Sequence, residues 1–131
     1  MSEPIGAIAE VLATYFDGLY HSDTERLRVV FHPQARYVSA SDYPLLVWSM
    51  DDYFPVVDAR PSPASRGDDR RDRILSIDLA GPVTAVARVE CRIGPRHFTD
   101  ILTLIRVDDR WQIISKVFHF ELQERACPTS T

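Results

Sequence analysis

Asp100, Lys116 and His119 are the residues of this 131-residue chain whose types and spacing could do chemistry. Asp100 stands in the middle of "HFTDILTL", a stretch with the character of a strand. A carboxylate there must pair with a donor or have its pKa raised by desolvation. A tuned carboxylate or imidazole beside an apolar substrate is what general-base catalysis needs. Lys116 and His119 lie in "RWQIISKVFHF", among Trp111, Ile113, Ile114, Val117, Phe118 and Phe120. Strand alternation puts the two on opposite faces, so they cannot react with each other.

Which of them shares a face with Asp100 depends on the hairpin around Asp108-Asp109. A two-residue loop, the favoured length for tight hairpins, groups Asp100 with Trp111, Ile113 and His119. A three-residue loop flips one strand against the other and groups Asp100 with Lys116 and Phe118. The shorter loop makes Asp100 and His119 the candidate catalytic pair. It leaves Lys116 a structural or interface residue, its stem lying along apolar surface.

Tyr15, His32, Tyr37, Trp48, Tyr53 and Trp111 are the candidate ligand-binding residues. Tyr15 either offers its hydroxyl to a substrate oxygen or is core with a wet tip. His32, in "FHPQ", is a turn residue or a pocket residue. Trp48 and Tyr53 close a pocket mouth or pack in the core. The histidines and cysteines lack metal-ligand spacing, so no metal is expected. No glycine-rich phosphate loop or Gly-x-Ser-x-Gly elbow occurs, so neither a nucleotide cofactor nor serine hydrolysis is expected.

Positioning these residues takes a fold with two parts. Ile5, Ile8, Ala9, Leu12, Tyr15, Phe16 and Leu19 recur at helical steps and predict one amphipathic helix over residues 3–20. "HSDTERLRVVF" restarts a helix with Ser22 as cap and ends at His32-Pro33. "ARYVSAS" reads as a short strand and "DYPLLV" as an irregular crossing. "SMDDYFPVVDAR" reads as a third helix that Pro55 would kink or interrupt. "RPSPASRGDD" is a loop. Beyond it come strands: "RILSIDL", "VTAVARVECRI", "HFTDILTLIRV" and "RWQIISKVFHFEL". Both long strands are apolar on two faces, so a second cover such as a partner subunit is required.

The expected architecture is α+β: three helices, then an antiparallel meander with a pocket between helices and sheet. Residues 1–125 form one domain and 126–131 a frayed tail. The net charge of −4 gives no basic face for nucleic acid. The N-terminus lacks a signal-peptide pattern and no stretch is long enough to span a membrane, so a cytoplasmic protein is expected. Cys91 and Cys127 are read as free thiols.

Three segments carry a family resemblance: "YFDGLYHSDTERLRVVFHPQARYV", "RILSIDLAGPVTAVARVEC" and "FTDILTLIRVDDRWQIISKVFHF". The chain resembles the nuclear transport factor 2-like superfamily, in its SnoaL-like and lumazine-binding-type branch. The resemblance implies a cone-shaped barrel, a strongly curved antiparallel sheet wrapped around a long N-terminal helix with two shorter helices. It also implies an interior pocket and a homodimer formed across the outer sheet face. It does not imply one activity, because relatives include isomerases, dehydratases, polyketide cyclases, epoxide hydrolases and noncatalytic domains. The base aspartate, tyrosine and protonated acid of the steroid-isomerase relatives have no residue-by-residue match here. Three readings follow: a domain binding a small apolar or aromatic molecule, a cofactor-free acid–base enzyme, or a noncatalytic dimerisation module.

Overall fold

The computed structural model describes residues 3–41 and 44–122. Helix α1 (Pro4–His21) buries Ile8, Leu12, Tyr15, Phe16 and Leu19, the face that the spacing predicts. Pro4 occupies its first turn, where a missing N–H costs nothing. Ser22 ends it in the left-handed region (φ 49°), and the Asp23 amide donates back to the Gly18 carbonyl at 2.8 Å. A Cβ on Gly18 would lie 2.6 Å from Leu27, so glycine is what lets the next helix approach this closely.

That next helix is α2 (Thr24–Val30), and its cap is Asp23 rather than Ser22. The Asp23 carboxylate accepts from the amides of Glu25 and Arg26, a role Ser22 forgoes by closing α1. Strand β1 (Phe31–Ser39) follows at once, starting before the expected position at Ala35. Residues 42–43 of the expected crossing lie outside the described residues, and Leu46–Ser49 forms a short strand, β2. Helix α3 (Met50–Ala59) opens with a reciprocal capping box between Ser49 and Asp52. It runs through Pro55 without interruption, because the carbonyl left unpaired one turn earlier belongs to exposed Asp51. Strands β3 (Arg73–Leu79), β4 (Thr84–Ile93), β5 (Arg96–Val107) and β6 (Arg110–Leu122) complete the chain. The expected tail, with Cys127, lies outside the described residues.

The six strands form one sheet in the order β2-β1-β6-β5-β4-β3. Every pairing is antiparallel except β1 with β6, which is parallel, so the sheet is mixed. Register shifts interrupt β1–β6, β3–β4 and β5–β6. Such bulges bend and twist a sheet, which lets it close over helices. The core lies between the inner sheet face and the helices. Ala85, Ala87, Val89, Cys91, Leu102, Leu104 and Ile113 meet Leu12, Leu27, Phe31 and Val57 there. This is the α+β fold expected from the sequence.

Candidate functional site

The β5–β6 hairpin turns through Asp108 and Asp109, both in the left-handed region (φ 52° and 61°). Val107 pairs with Arg110, so the loop has two residues, and two positive φ angles match the twist of the flanking strands. The grouping of side chains is nevertheless the one expected of the longer loop. Leu104 pairs with Ile113 and Thr103 with Ser115, so Ile114 is an extra residue on β6. Beyond that bulge the phase of β6 is reversed. Asp100 faces Phe118, Leu102 faces Lys116, and Thr99 faces His119. The inner face therefore holds Asp100, Lys116 and Phe118. His119 is on the outer face with Val117.

An Asp100–His119 pair does not form. His119 is exposed, with Nδ1 2.9 Å from Ser41 Oγ and Nε2 3.2 Å from a Glu121 carboxylate oxygen. Asp100 is fully buried, and Tyr15 donates to its Oδ2 at 2.6 Å. Its Oδ1 has no hydrogen-bond partner, and neither does the buried Tyr53 hydroxyl. Lys116 is 3% exposed, and its ammonium lies 5.1–5.6 Å from the ring centroids of Tyr15, Tyr37, Tyr53 and Phe118. That cage replaces the interface position expected for it.

The electrostatics of the cluster are one-sided. Burial pulls the Lys116 pKa down, but Tyr53, Asp100 and Tyr37 outweigh it, and the net shift is upward. Burial pushes the Tyr15 phenol well above its ordinary value, and the Asp100 charge adds to the effect. Burial also raises the Cys91 thiol. At neutral pH the cluster thus presents the Lys116 ammonium, the neutral phenols of Tyr15 and Tyr37 and an inert thiol. Lys116 is a cation here rather than a free amine. The aromatic faces supply the attraction that a desolvated ammonium requires.

Beside the cluster lies a cavity of about 170 Å³ between β1, β2, α3 and the far end of the β5–β6 hairpin. Tyr37 stacks on Trp48 (5.2 Å between centroids) and on Tyr53 (4.2 Å), and packs against Phe118 (4.6 Å). Tyr37 and Phe118 line the cavity on one side and cage Lys116 on the other. Arg60, just past α3, and Arg96, at the start of β5, also line it.

Of the residues expected at the site, Tyr15, Tyr37, Trp48, Tyr53 and Asp100 come together in or beside this region. Trp111 does not. It sits at the other end of β6, where it lines a separate cavity together with Pro4, Ala7 and Val11. His32 does not either, because its Nδ1 accepts from the Gln34 amide at 3.0 Å within the β1 irregularity. Arg60, Arg96, Phe98 and Phe118 escaped the sequence reading. Nothing local distinguishes an arginine that will line a cavity from one that will face water. Among the described residues no three His, Cys, Asp or Glu side chains are grouped to hold a metal ion.

The family model described as "Putative lumazine-binding" matches residues 3–119. The chain belongs to that family. Similar solved structures of this lumazine-binding-like protein include an NTF2-like protein of unknown function from Shewanella baltica OS155. It is 28% identical, with a TM-score of 0.80 over 92% of this chain and 98% of that one. An NTF2-like protein of unknown function from Silicibacter pomeroyi DSS-3 is 26% identical, with a TM-score of 0.78 over 89% and 95%. A curated relative, the aldolase FrzH of a Cladobotryum species, is 24% identical over 120 residues, covering 90% of this chain and 92% of that protein. These likenesses support the nuclear transport factor 2-like superfamily. No helix among the described residues is long and apolar enough to cross a membrane.

Proposed function

We propose that this protein binds a small planar molecule in the cavity walled by Tyr37, Trp48, Phe98 and Phe118. The observation that carries the reading is the stacked aromatic wall facing an unfilled space of about 170 Å³. Cavities of about 150 Å³ accept a single benzene ring, so the space suits one ring with a substituent. The family description fits a planar heterocycle or aromatic ligand. Saturation of the Trp48 indole N–H signal on titration with a set of monocyclic aromatics checks the reading. If no such compound shifts that signal below about millimolar concentration, where binding is worth only about 4 kcal/mol, the pocket is not a binding site.

A second reading is a cofactor-free acid–base enzyme, favoured by the Tyr15–Asp100 hydrogen bond and by the aldolase among the relatives. Asp100 Oδ1 would take a proton from carbon next to a carbonyl while Tyr15 holds Oδ2, and the unpartnered Tyr53 hydroxyl would donate to the resulting oxyanion. Asp100 is fully buried and does not line the cavity, and binding is placed first for that reason. Deuterium exchange at the α-carbon of a bound ketone in D2O tests it. Exchange lost in Asp100→Asn and retained in His119→Ala supports the enzyme, and no exchange in the wild type removes it.

The reading includes a homodimer through the outer face of β4–β6, where Val86, Ile101 and Val117 are exposed together on neighbouring strands. Sedimentation of wild type against Val117→Glu checks this, with a dimer expected for the first and a monomer for the second. Buried, unpaired Cys91 fits a reducing compartment, which makes the cytoplasm the proposed location.

A further inference from the structure

We propose that the ligand of the aromatic pocket is an oxyanion-bearing ring, an aromatic carboxylate, whose carboxylate is gripped by Arg60 with Arg96 as a second cation. The proposal rests on the pocket reading above and adds the charge of its occupant. The charged side chains lining the cavity are Arg60 and Arg96, and no acidic side chain lines it among the described residues. This holds although the chain carries more acidic residues than basic ones.

Arg60 is the decisive residue. Its Nε and Nη2 atoms are buried and have no hydrogen-bond partner. Desolvated guanidinium N–H groups without an acceptor are costly, so a turn of the Arg60 side chain that brings them into the adjoining cavity and onto an acceptor there is favoured. The two bare nitrogens form one edge of the guanidinium plane, the edge suited to a carboxylate in a two-point grip. The protein uses that edge elsewhere. Arg66 donates from Nε and Nη2 to Asp68 at 3.2 and 2.9 Å, and Arg70 from the same atoms to Asp72 at 3.0 and 2.7 Å. At Arg60 the same edge points at no carboxylate of the described chain.

The surroundings agree with the assignment. Arg60 contributes to the electrostatics of the Tyr37 hydroxyl, which places its charge beside the stacked wall. The Arg96 guanidinium lies 4.8 Å above the Phe120 ring, at the same cavity, with no ion pair among the described residues. Lys116 lies behind the Tyr37 and Phe118 rings. Arg60 and Arg96 at the cavity, with Lys116 behind its aromatic wall, put three cationic side chains around a space that no acidic side chain lines among the described residues. A flat ring in the cavity beside the stacked Tyr37–Trp48 pair, with its carboxylate at Arg60, satisfies both the wall and the orphaned donors.

The test compares benzoate with benzamide, which has the same shape without the charge, through the Trp48 indole N–H signal assigned with Trp48→Phe. Benzoate is expected to bind at least about tenfold more tightly than benzamide, the scale of a charge-assisted two-point hydrogen bond. Arg60→Gln should abolish that preference, and Arg70→Gln should leave it intact. Arg60→Lys, which keeps the charge and loses the fork, should retain only part of it, and it serves if the glutamine variant does not fold. Equal binding of the two compounds would leave the pocket standing and overturn the anion. A preference that survives Arg60→Gln would overturn the assignment to Arg60. If neither compound moves Trp48, the pocket reading and this proposal fall together.

Discussion

The two faces of the β5–β6 hairpin treat their polar groups in opposite ways. On the outer face His119 is exposed and satisfied, held by Ser41 and Glu121. On the inner face Asp100 and Lys116 are buried. One carboxylate oxygen has no partner, and the ammonium has aromatic rings where an ion pair would be expected. Adjacent residues such as Phe118 and His119 thus live in media of very different dielectric. A polar group costs little where water can finish its hydrogen bonds, and a great deal where only protein can. Polar groups retained on the costly side are the ones to suspect of function.

Deleting Ile114 together with Ser115 should break the comparison outright. That removes the extra residue and one ladder position, so β6 would present His119 inward and Lys116 outward, moving each polar group to the wrong medium. We expect loss of the folded state, seen as loss of near-ultraviolet circular dichroism. A stable double-deletion variant would show that the register of β6 does not set the face.

Asp100→Ala comes next. It removes the acceptor of Tyr15 and the one carboxylate near Lys116, and breaking a buried charged set costs about 3–5 kcal/mol. Urea unfolding measures it, and a cost below about 1 kcal/mol would mean the inner polar groups are not coupled.

Alkaline pH should then loosen the inner face alone. The folded pKa values of Tyr15 and Lys116 are raised above their ordinary values of 10.0 and 10.5. Their contribution is complete below those values and is lost as pH rises through the folded ones. The Cys91 thiol is raised from 9.0 in the same way, so stability should decline from about pH 9 upward, and above pH 10 less steeply in Lys116→Met than in the wild type. Identical slopes would detach Lys116 from the effect.

The smallest effect belongs to the outer face. His119→Ala should change stability by no more than about 0.5 kcal/mol, as for an exposed side chain, and leave ligand titration unaltered. A larger loss would remove the contrast between the faces.

The hairpin also shows how much was legible beforehand. The two-residue turn at Asp108-Asp109 was readable from loop preference, and so was the separation of Lys116 from His119. The face was not, because it required the bulge. The one trace is "WQIIS", where Trp111 and Ile113 are on one phase and Phe118 and Phe120 on the other, with the doubled isoleucine between them. An apolar pair can mark a bulge or simply a strand covered on both sides, and the sequence offers no means of choosing. Tyr15 and Asp100 were both named as candidates, yet their hydrogen bond spans 85 positions of chain. Arg60 stayed invisible because its meaning lies in the absence of a partner.

By itself the sequence determined the elements whose signals are local: the buried stripe of α1, the helical character of α3, and the strands β3 to β6 with their turns. Periodicity acts over a few residues and survives in any context. Only the tertiary structure decided which face each polar residue occupies, that β1 runs parallel to β6, and that Arg60 meets a cavity. Those outcomes depend on register and on long-range packing. A one-residue shift reverses them while leaving every local preference satisfied.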